Sequence, residues 1–257
     1  MWAMAMTRLT WAARLGLVGR QATKNPNMTL LNRIKRLPFT PLQIAVHFYA
    51  WYGLAVLVFD FLIHRLTANP LQFIQQQTGL HAITLLILSL ACRPLSDLLG
   101  WRELLKHSRT LGLYAFMVAV IHILIFLDLD NGIAWNFFAQ TIIEKWYIIF
   151  GITTFLLLIP LAMTSFDIWK VRLQKNWKHL HQLIYIIVPI AVLHYALSKK
   201  GDIFHLQGDI VRPFIYGVIV IVLLVLRLPF MRRFLISLRT RIVLLFARPN
   251  PQPTPRA

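Results

Sequence analysis

Long apolar stretches alternate with short polar segments along the chain. Six of them approach the roughly 20 residues that a helix needs to cross about 30 Å of hydrocarbon. They cover about 43–63, 79–95, 111–128, 146–164, 180–197 and 213–230. The second stretch is the shortest, since Gly79 and Pro94 bracket it, and the polar residues before Gly79 can extend it. The pattern predicts an all-α integral membrane protein, a bundle of six transmembrane helices.

The composition supports a membrane protein. Hydrophobic residues make up 58% of the chain and charged residues 14%, with a mean hydropathy of +0.62. A soluble domain is nearer half apolar and a quarter charged. This chain has too few polar side chains to cover a globular surface, which argues against a soluble enzyme and a disordered chain. The one cysteine, Cys92, cannot form an internal disulfide, so a disulfide-stapled secreted domain is also disfavoured.

The charged residues indicate how the helices are oriented. The chain has 27 Lys and Arg against 9 Asp and Glu, a net charge of +18. Of the 27 basic residues, 22 lie in alternate segments: the two termini and the connections after the second and fourth stretches. The positive-inside rule then places both termini in the cytoplasm. The basic excess therefore indicates topology and attraction to anionic lipid rather than binding of nucleic acid.

The N-terminus is basic, and no acidic residue precedes Asp60. Arginines interrupt its apolar residues, unlike the continuous apolar core of a secretory signal. Three interpretations stay open: a transit-peptide-like start, an interfacial helix, or a mis-assigned start in which 1–27 precede a true first residue at Met28. The predicted organisation is a basic cytoplasmic segment at 1–41, the membrane domain at 42–230, and a basic interfacial helix with a Pro-rich tail at 231–257.

Four of the nine histidines fall inside the apolar stretches: His47, His122, His181 and His194. The first, third and fifth stretches all run from the inside to the outside. His47 and His181 lie near the inner ends, whereas His122 and His194 lie roughly 17 and 21 Å deep at 1.5 Å per residue. Pro189, between His181 and His194, is expected to kink the fifth helix. The spacing predicts two layers, an inner layer of His47 with His181 and an outer layer of His122 with His194.

Paired imidazoles at two depths suit a haem iron with both axial positions filled, which favours electron transfer. Ionisable side chains inside a membrane are costly and usually functional. A proton or metal pathway and purely structural histidines remain alternatives, and His81 is a rival outer ligand. No CxxCH motif occurs, so a haem here is b-type. Motifs of nucleotide binding and hydrolysis are also missing from the sequence.

Four segments carry a resemblance to a known family: TGLHAITLLILSLACRPL, SRTLGLYAFMVAVIH, EKWYIIFGITTFLLLIPLAMTS and NWKHLHQLIYIIVPIAVLHY. They resemble MsrQ, the family of haem-binding membrane subunits of the bacterial periplasmic methionine sulfoxide reductase system. That family belongs to the ferric reductase-like transmembrane domains. The resemblance covers about 40–230.

The resemblance implies a multi-pass protein of the bacterial inner membrane that holds one or two b-type haems. It implies His122, His181 and His194 as ligands, and His47 matches a histidine that family members tend to have in the first helix. Electrons would come from the quinone pool or a cytosolic flavin reductase. They would go to a periplasmic molybdopterin enzyme that reduces methionine sulfoxide in oxidised envelope proteins. The chain would thus be an electron-transfer subunit, and the oxygen-atom chemistry would belong to its partner.

Some members of the family also bind FMN. Arg109 occupies the first position of the family's inner Arg-Arg-x-Leu-Gly pattern, so the resemblance implies a cofactor contact there. Thr110 replaces the second arginine, which departs from the pattern at the position relevant to a flavin phosphate.

The expected route for electrons starts at the inner layer, crosses to the outer layer and leaves through the outer loops at about 128–145 and 198–212. Two other functions remain open. One is a stand-alone transmembrane ferric or quinone reductase of the same fold. The other is a non-haem metal or proton transporter.

Overall fold

The computed structural model describes residues 40–65, 67, 69–127, 145–199, 201–202 and 207–246. The predictions for the N-terminal segment before Thr40, for residues 128–144 of the outer loops and for the Pro-rich tail lie outside the described residues. The described part forms α1 (Pro41–Leu62), α2 (Pro70–Leu99), α3 (Glu103–Ile125), α4 (Trp146–Met163), α5 (Asp167–Leu173), α6 (Lys175–His181), α7 (Ile184–Leu197), β1 (Gly201–Asp202), β2 (Gln207–Gly208), α8 (Val211–Val225) and α9 (Pro229–Phe246).

The predicted all-helical membrane fold is confirmed. Among the described residues, five helical segments are long and apolar enough to cross a membrane: α1, α2, α3, α4 and the run Lys175–Leu197 that contains α6 and α7. A sixth span is present if α8 and α9, which are bent by 83° at their junction, are counted together. The strands β1 and β2 form only a two-residue antiparallel pair between α7 and α8.

The second span is longer than its apolar stretch. It begins at Pro70, where Asn69 accepts a hydrogen bond from the backbone N–H of Gln72 and proline fits the first turn. It ends at Gly100, whose φ of 73° lies in the left-handed region, with its N–H donated to the carbonyl of Ser96. The helix continues through Pro94. The residues from Pro70 to Thr78 therefore extend it by about two and a half turns.

α2 is the central helix of the bundle, because α1, α3, α7, α8 and α9 all pack against it. Its central position explains why this span carries buried polar side chains such as Thr78, Ser89 and Ser96. The other spans have a much smaller share of buried residues. The largest fully buried side chains come from α2, α3, α7 and α8 and include Leu85, Leu90, Val118, Ile187 and Val188.

The fifth span is broken before its proline. α6 ends at His181 and α7 begins at Ile184, while α7 continues through Pro189. At the break, the N–H groups of Leu183 and Tyr185 bond three residues back rather than four, as in a tight 3₁₀ turn. The break changes the helical phase between His181 and the rest of the span.

α9 returns to α2 through its arginines. The carboxylate of Asp97, near the carboxyl end of α2, contacts Arg232 at 2.9 Å and Arg93 at 3.3 Å. The guanidinium of Arg239 lies against Gly100, in the space that a Cβ would occupy. Cations near the carboxyl end of a helix also complement its dipole. These contacts hold α9 across the end of α2.

Candidate functional site

The bundle has two ends, named here by their residues. At the upper end, α1 ends at Leu62 and α2 begins at Pro70; at the lower end, α2 ends at Leu99 and α3 begins at Glu103. His122 and His194 lie near the upper end, on α3 and α7. Their ring centroids are 6.3 Å apart and the ring planes meet at 84°. The structure therefore brings together the two histidines that the sequence places in one layer.

The hydrogen bonds of His122 define which of its nitrogens is available. The hydroxyl of Thr78 donates to the carbonyl of Ile74 at 2.9 Å, so its oxygen can only accept from the ring. Nδ1–H of His122 therefore donates to the carbonyl of Gln75 at 3.0 Å and to Thr78 at 3.2 Å. Nε2 is left with its lone pair, which faces the amide nitrogen of Gln75 at 3.4 Å.

His194 is held in the same way. Its Nδ1–H donates to the carbonyl of Tyr147, on the first turn of α4, at 2.7 Å. Among the described residues, Nε2 of His194 has no hydrogen-bond partner. A hydrogen bond from Nδ1–H to a carbonyl is the usual device that orients an imidazole for metal binding through Nε2.

Glycines on neighbouring helices form the seats of both rings. A Cβ at Gly79 would lie 2.9 Å from Cε1 of His122, and a Cβ at Gly151 would lie 2.8 Å from Cε1 of His194. In each case the carbonyl that accepts from the ring belongs to the residue four positions before the glycine. The missing side chain thus lets the imidazole lie on the backbone and reach a carbonyl one turn away.

This arrangement fits a haem. An imidazole nitrogen lies about 2 Å from the metal that it binds, and the ring centroid lies half a ring width further out. Two imidazoles on opposite sides of one iron therefore have ring centroids about 6 Å apart. A haem supplies the remaining four nitrogens itself, so two imidazoles suffice. The side-chain oxygen of Gln75, beside Nε2 of His122, is buried and has no partner within the described part of the chain. Moving the Gln75 amide away from Nε2 of His122 therefore breaks no hydrogen bond of the amide oxygen.

His81 faces a different neighbour from the two paired histidines. Its Nε2 hydrogen bonds to the carbonyl of Ala50 on α1 at 3.0 Å, and its ring lies against Gly53 of the same helix. The ring of Tyr49, also on α1, is 5.5 Å away. The sequence named His81 as a rival outer ligand; the contacts of the described residues direct it toward α1 rather than toward His122 and His194.

His181 lies at the lower end, at the carboxyl end of α6. The hydroxyl of Thr164 donates its hydrogen to the carbonyl of Pro160, so the hydroxyl oxygen can only accept from His181. Nε2–H of His181 therefore donates to the hydroxyl oxygen of Thr164 at 3.1 Å. The ring also stacks on Trp177 with centroids 4.1 Å apart. In this arrangement the nitrogen of His181 that remains unprotonated is Nδ1.

His47 contacts α3 rather than His181. Its Nδ1 is 2.7 Å from the hydroxyl of Tyr114, and the two rings meet edge to face. Within the described residues there is no contact between the rings of His47 and His181. The structure therefore does not bring the rings of His47 and His181 together as it does those of His122 and His194.

Arg109 is occupied by an ion pair at the lower end. Its guanidinium donates to Asp167 at 2.9 Å and to the carbonyl of Ser165 at 3.2 Å. The hydrogen bond and charge of Arg109 lower the pKa of the Asp167 carboxyl below its ordinary value. Arg109, where the resemblance implies a cofactor contact, and His181 thus both contact the turn that ends α4.

The described residues contain no group of three or more His, Cys, Asp or Glu side chains arranged to hold a bare metal ion. The site residues that the sequence analysis missed are Gly79, Gly151, Thr78 and Gln75. The signal for the glycines was present, because an isolated glycine inside a helical pattern often has a packing reason. Which side chain lies on each glycine depends on contacts between distant helices, and the pattern along the chain does not contain them.

Comparison with known proteins identifies the family. Residues 78–192 match the family described as "Ferric reductase like transmembrane component". A protein of Xanthomonas campestris pv. campestris (strain 8004), named "Protein-methionine-sulfoxide reductase heme-binding subunit MsrQ", is 44% identical over 138 residues, 54% of this chain and 63% of that protein. A protein of the same name from Herminiimonas arsenicoxydans is 38% identical over 167 residues, 65% of this chain and 74% of that protein.

The chain thus spans somewhat less than two thirds of the Xanthomonas relative's length and about three quarters of the Herminiimonas relative's. The matched family segment contains Gly79, His122 and Gly151, and it ends two residues before His194. Taken with the all-helical membrane fold, these matches confirm the resemblance seen in the sequence, and the chain belongs to the MsrQ family of ferric reductase-like membrane proteins.

Proposed function

We propose that this chain is a b-type haem subunit that carries electrons to a periplasmic methionine sulfoxide reductase. The electrons come from the quinone pool or a cytosolic flavin reductase. The partner is a molybdopterin enzyme that repairs oxidised envelope proteins. The observation that carries the proposal is the pairing of His122 and His194, whose oriented rings are 6.3 Å apart. The names of the relatives support the haem and the sulfoxide reductase.

In this proposal His122 and His194 hold the iron through Nε2. With His122 and His194 both bound to its iron, the haem would supply a one-electron carrier rather than a substrate site. The protein's contribution is to fix the two rings: the carbonyls of Gln75 and Tyr147 orient them, and the glycine seats keep them close to the backbone. The subunit itself then performs electron transfer, and the partner performs the oxygen-atom chemistry.

The lower pair has weaker support as a second haem site. His181 uses Nε2–H on Thr164, and His47 contacts Tyr114. Among the described residues these two rings make no contact with each other, so the lower pair lacks the geometry that His122 and His194 show. We therefore propose one haem at the upper pair and treat His47 with His181 as a second site whose occupancy the haem count decides.

Orientation follows from the basic residues. The connections at the lower end and the two termini hold 22 of the 27 Lys and Arg residues, so we propose that the lower end faces the cytoplasm of a bacterial inner membrane. The upper haem then lies near the periplasm, where the partner reductase docks. Single-cysteine labelling from the two sides of spheroplasts tests this. Labelling of the upper end only from the cytoplasmic side would reverse the orientation.

The main test is a reduced-minus-oxidised spectrum with a haem count on the purified chain after haem-replete expression. We expect His122→Ala and His194→Ala to lose the bis-imidazole spectrum. His179→Ala is the matched control, since His179 is exposed and only two residues from His181. An unchanged spectrum in both the His122 and His194 variants would refute the ligand assignment. His47→Ala and His181→Ala then decide between one haem and two.

Two experiments separate the remaining alternatives. A stand-alone ferric or quinone reductase of the same fold would hold haem but fail to reduce a reconstituted periplasmic sulfoxide reductase. A non-haem metal or proton transporter would show no Soret band. Flavin analysis of the same preparation tests FMN, whose phosphate would have to compete with Asp167 for Arg109.

A further inference from the structure

A cavity of about 240 Å³ lies between α1, α2 and α8, beside the paired histidines rather than between them. Its lining includes aromatic and hydroxyl-bearing side chains together with one imidazole. The polar members are Tyr49, Gln77, Thr78, His81, Thr84 and Tyr216. Neither of the proposed haem ligands, His122 and His194, lines this cavity. Because polar side chains are costly inside a membrane, this cluster of them indicates a further function.

His81 offers the cavity a hydrogen-bond acceptor. Its partner at Nε2 is the carbonyl of Ala50, which can only accept, so Nε2 carries the proton. Nδ1 therefore bears a lone pair. No partner for Nδ1 is found among the residues that the structure describes. The ring is fixed in this orientation because it lies on Gly53, where a Cβ would come within 2.7 Å of Cε1.

Tyr216 offers a second acceptor by the same reasoning. The hydroxyl of Thr84 donates to the carbonyl of Leu80 at 2.7 Å. A threonine hydroxyl has one hydrogen, so in the contact between Thr84 and Tyr216 at 2.8 Å the tyrosine must donate. The phenolic oxygen of Tyr216 then keeps its lone pairs for a ligand. The cavity thus presents two acceptors, one on α2 and one on α8.

We propose that this cavity binds the head group of a membrane-soluble hydroquinone, with Nδ1 of His81 and the phenolic oxygen of Tyr216 accepting hydrogen bonds from its hydroxyls. Two acceptors select a ligand that brings its own O–H groups. The volume accommodates one or two fused rings and is too small for a flavin or a nicotinamide dinucleotide. The ring of Tyr49 beside His81 supplies an aromatic wall.

The same cavity adjoins the proposed haem site through one side chain. Thr78 lines the cavity and also accepts a hydrogen bond from Nδ1–H of His122. Oxidation of one hydroquinone to the quinone breaks two O–H bonds and releases two electrons and two protons. A haem held by His122 and His194 would accept the electrons one at a time and pass each to the partner reductase, while Nδ1 of His81 takes the first proton and water takes the second. The transfer of electrons to a haem rests on the proposed function, whereas the binding of a hydroquinone in the cavity does not.

The site changes where electrons enter. The sequence-based route begins at the lower layer, near His47 and His181. The cavity instead adjoins the upper pair, so a hydroquinone bound there delivers electrons without using the lower histidines. The lower end remains available to a cytosolic donor.

Binding can be measured without any turnover. The probe is tetramethylhydroquinone, titrated calorimetrically and anaerobically into the full-length chain in nanodiscs, with any haem reduced beforehand so that the hydroquinone cannot transfer electrons to it. We expect Tyr216→Phe to weaken binding by up to about tenfold, the loss of one hydrogen bond, and His81→Leu to weaken it at least as much. Tyr195→Phe is the matched control, because the Tyr195 ring contacts Tyr216 at 5.9 Å but does not line the cavity. Tetramethylbenzoquinone should bind the wild type more weakly than the hydroquinone, because its oxygens cannot donate.

The proposal is overturned if the wild type binds no hydroquinone, or if Tyr216→Phe and His81→Leu both bind it as tightly as the wild type. Either result leaves the cavity to a lipid chain. If His81→Leu loses its Soret band, Tyr216→Phe decides alone, since phenylalanine keeps the ring. Failure of the proposed function is distinguishable, because it appears as missing haem or as no electron delivery to the reductase from any donor, with binding unaffected.

Discussion

The imidazole of His194 lies directly on the backbone of Gly151, so that a Cβ at this position would come within 2.8 Å of Cε1. His122 has the same relationship to Gly79, and His81 to Gly53. In all three pairs the ring also bonds to a carbonyl three or four residues before the glycine. One local device, a glycine on one helix beneath a histidine of another, therefore fixes three imidazoles at the upper half of the bundle.

The first prediction concerns Gly151→Ala. The added methyl group must push the His194 ring off its seat, and overpacking of this kind costs about 1–3 kcal/mol. Haem retention should fall by roughly fivefold to a hundredfold. The measurement is Soret absorbance per protein during a haem titration. Gly79→Ala should act in the same direction through His122.

Gly217→Ala is the matched control, because its added Cβ would meet its nearest neighbour, Cγ1 of Val192, at an ordinary 3.7 Å. If Gly151→Ala and Gly217→Ala retain haem equally, the glycine seat has no role in ligand orientation.

The second prediction concerns Thr78→Val. Thr78 accepts from Nδ1–H of His122, and such a bond raises the basicity of a ligand imidazole and so favours ferric iron. Its loss should raise the haem midpoint potential by up to about 40 mV, the one-electron equivalent of about 1 kcal/mol. A redox titration followed by optical spectroscopy measures this shift.

Thr78→Ser should keep the wild-type potential because it keeps the hydroxyl. Thr154→Val controls for loss of a buried threonine hydroxyl, since Thr154 bonds only to the carbonyl of Phe150 among the described residues. A potential that moves equally in Thr78→Val and Thr154→Val would assign the effect to packing instead.

The sequence predicted the helical bundle and the depth of the upper pair because both depend on local information. Apolar length defines a span, and the rise per residue places His122 and His194 at similar heights. The extent of α2 was underestimated because its first turns face other helices or solvent and so contain glutamines. Its boundaries depend on the cap at Asn69 and the left-handed Gly100.

The details of the site depended on contacts that no periodic pattern contains. The sequence places both His81 and His122 toward the outer side, yet one ring faces α1 and the other faces α7. That difference arises from the rotation of each helix about its axis, which packing around the central α2 determines. The break between α6 and α7 likewise changes the phase of His181, whereas the sequence drew attention to Pro189.

The third prediction is a pH dependence at the lower end. The ion pair with Arg109 lowers the pKa of Asp167 below its ordinary value of 3.8. A carboxyl with a lowered pKa contributes stability above its ordinary pKa and loses it as the pH falls through the folded-state value. The unfolding temperature of the wild type should therefore exceed that of Asp167→Asn by a small constant amount at neutral pH. The difference should shrink below about pH 4.

Scanning fluorimetry across this range measures the effect, and added salt should reduce it because Asp167 is exposed. A difference that persists at the lowest pH would mean that the substitution acts through something other than the charge of Asp167.

The last prediction concerns the attachment of α9 to α2. The Asp97 side chain is only 14% exposed and neutralises Arg93 and Arg232 together. Asp97→Asn removes the charge that holds Arg232, and charge-assisted hydrogen bonds are about twice as strong as neutral ones. Transient release of α9 should increase, and tryptic cleavage at its arginines should become roughly threefold to tenfold faster, since cleavage follows the population of the open form.

Asp167→Asn, which also breaks an ion pair but far from α9 in the chain, should leave cleavage unchanged. The spectrum of a haem at the upper pair should be the same in both variants, because His122 and His194 lie at the opposite end of the bundle. Cleavage at the wild-type rate in Asp97→Asn would show that apolar packing alone holds α9 in place.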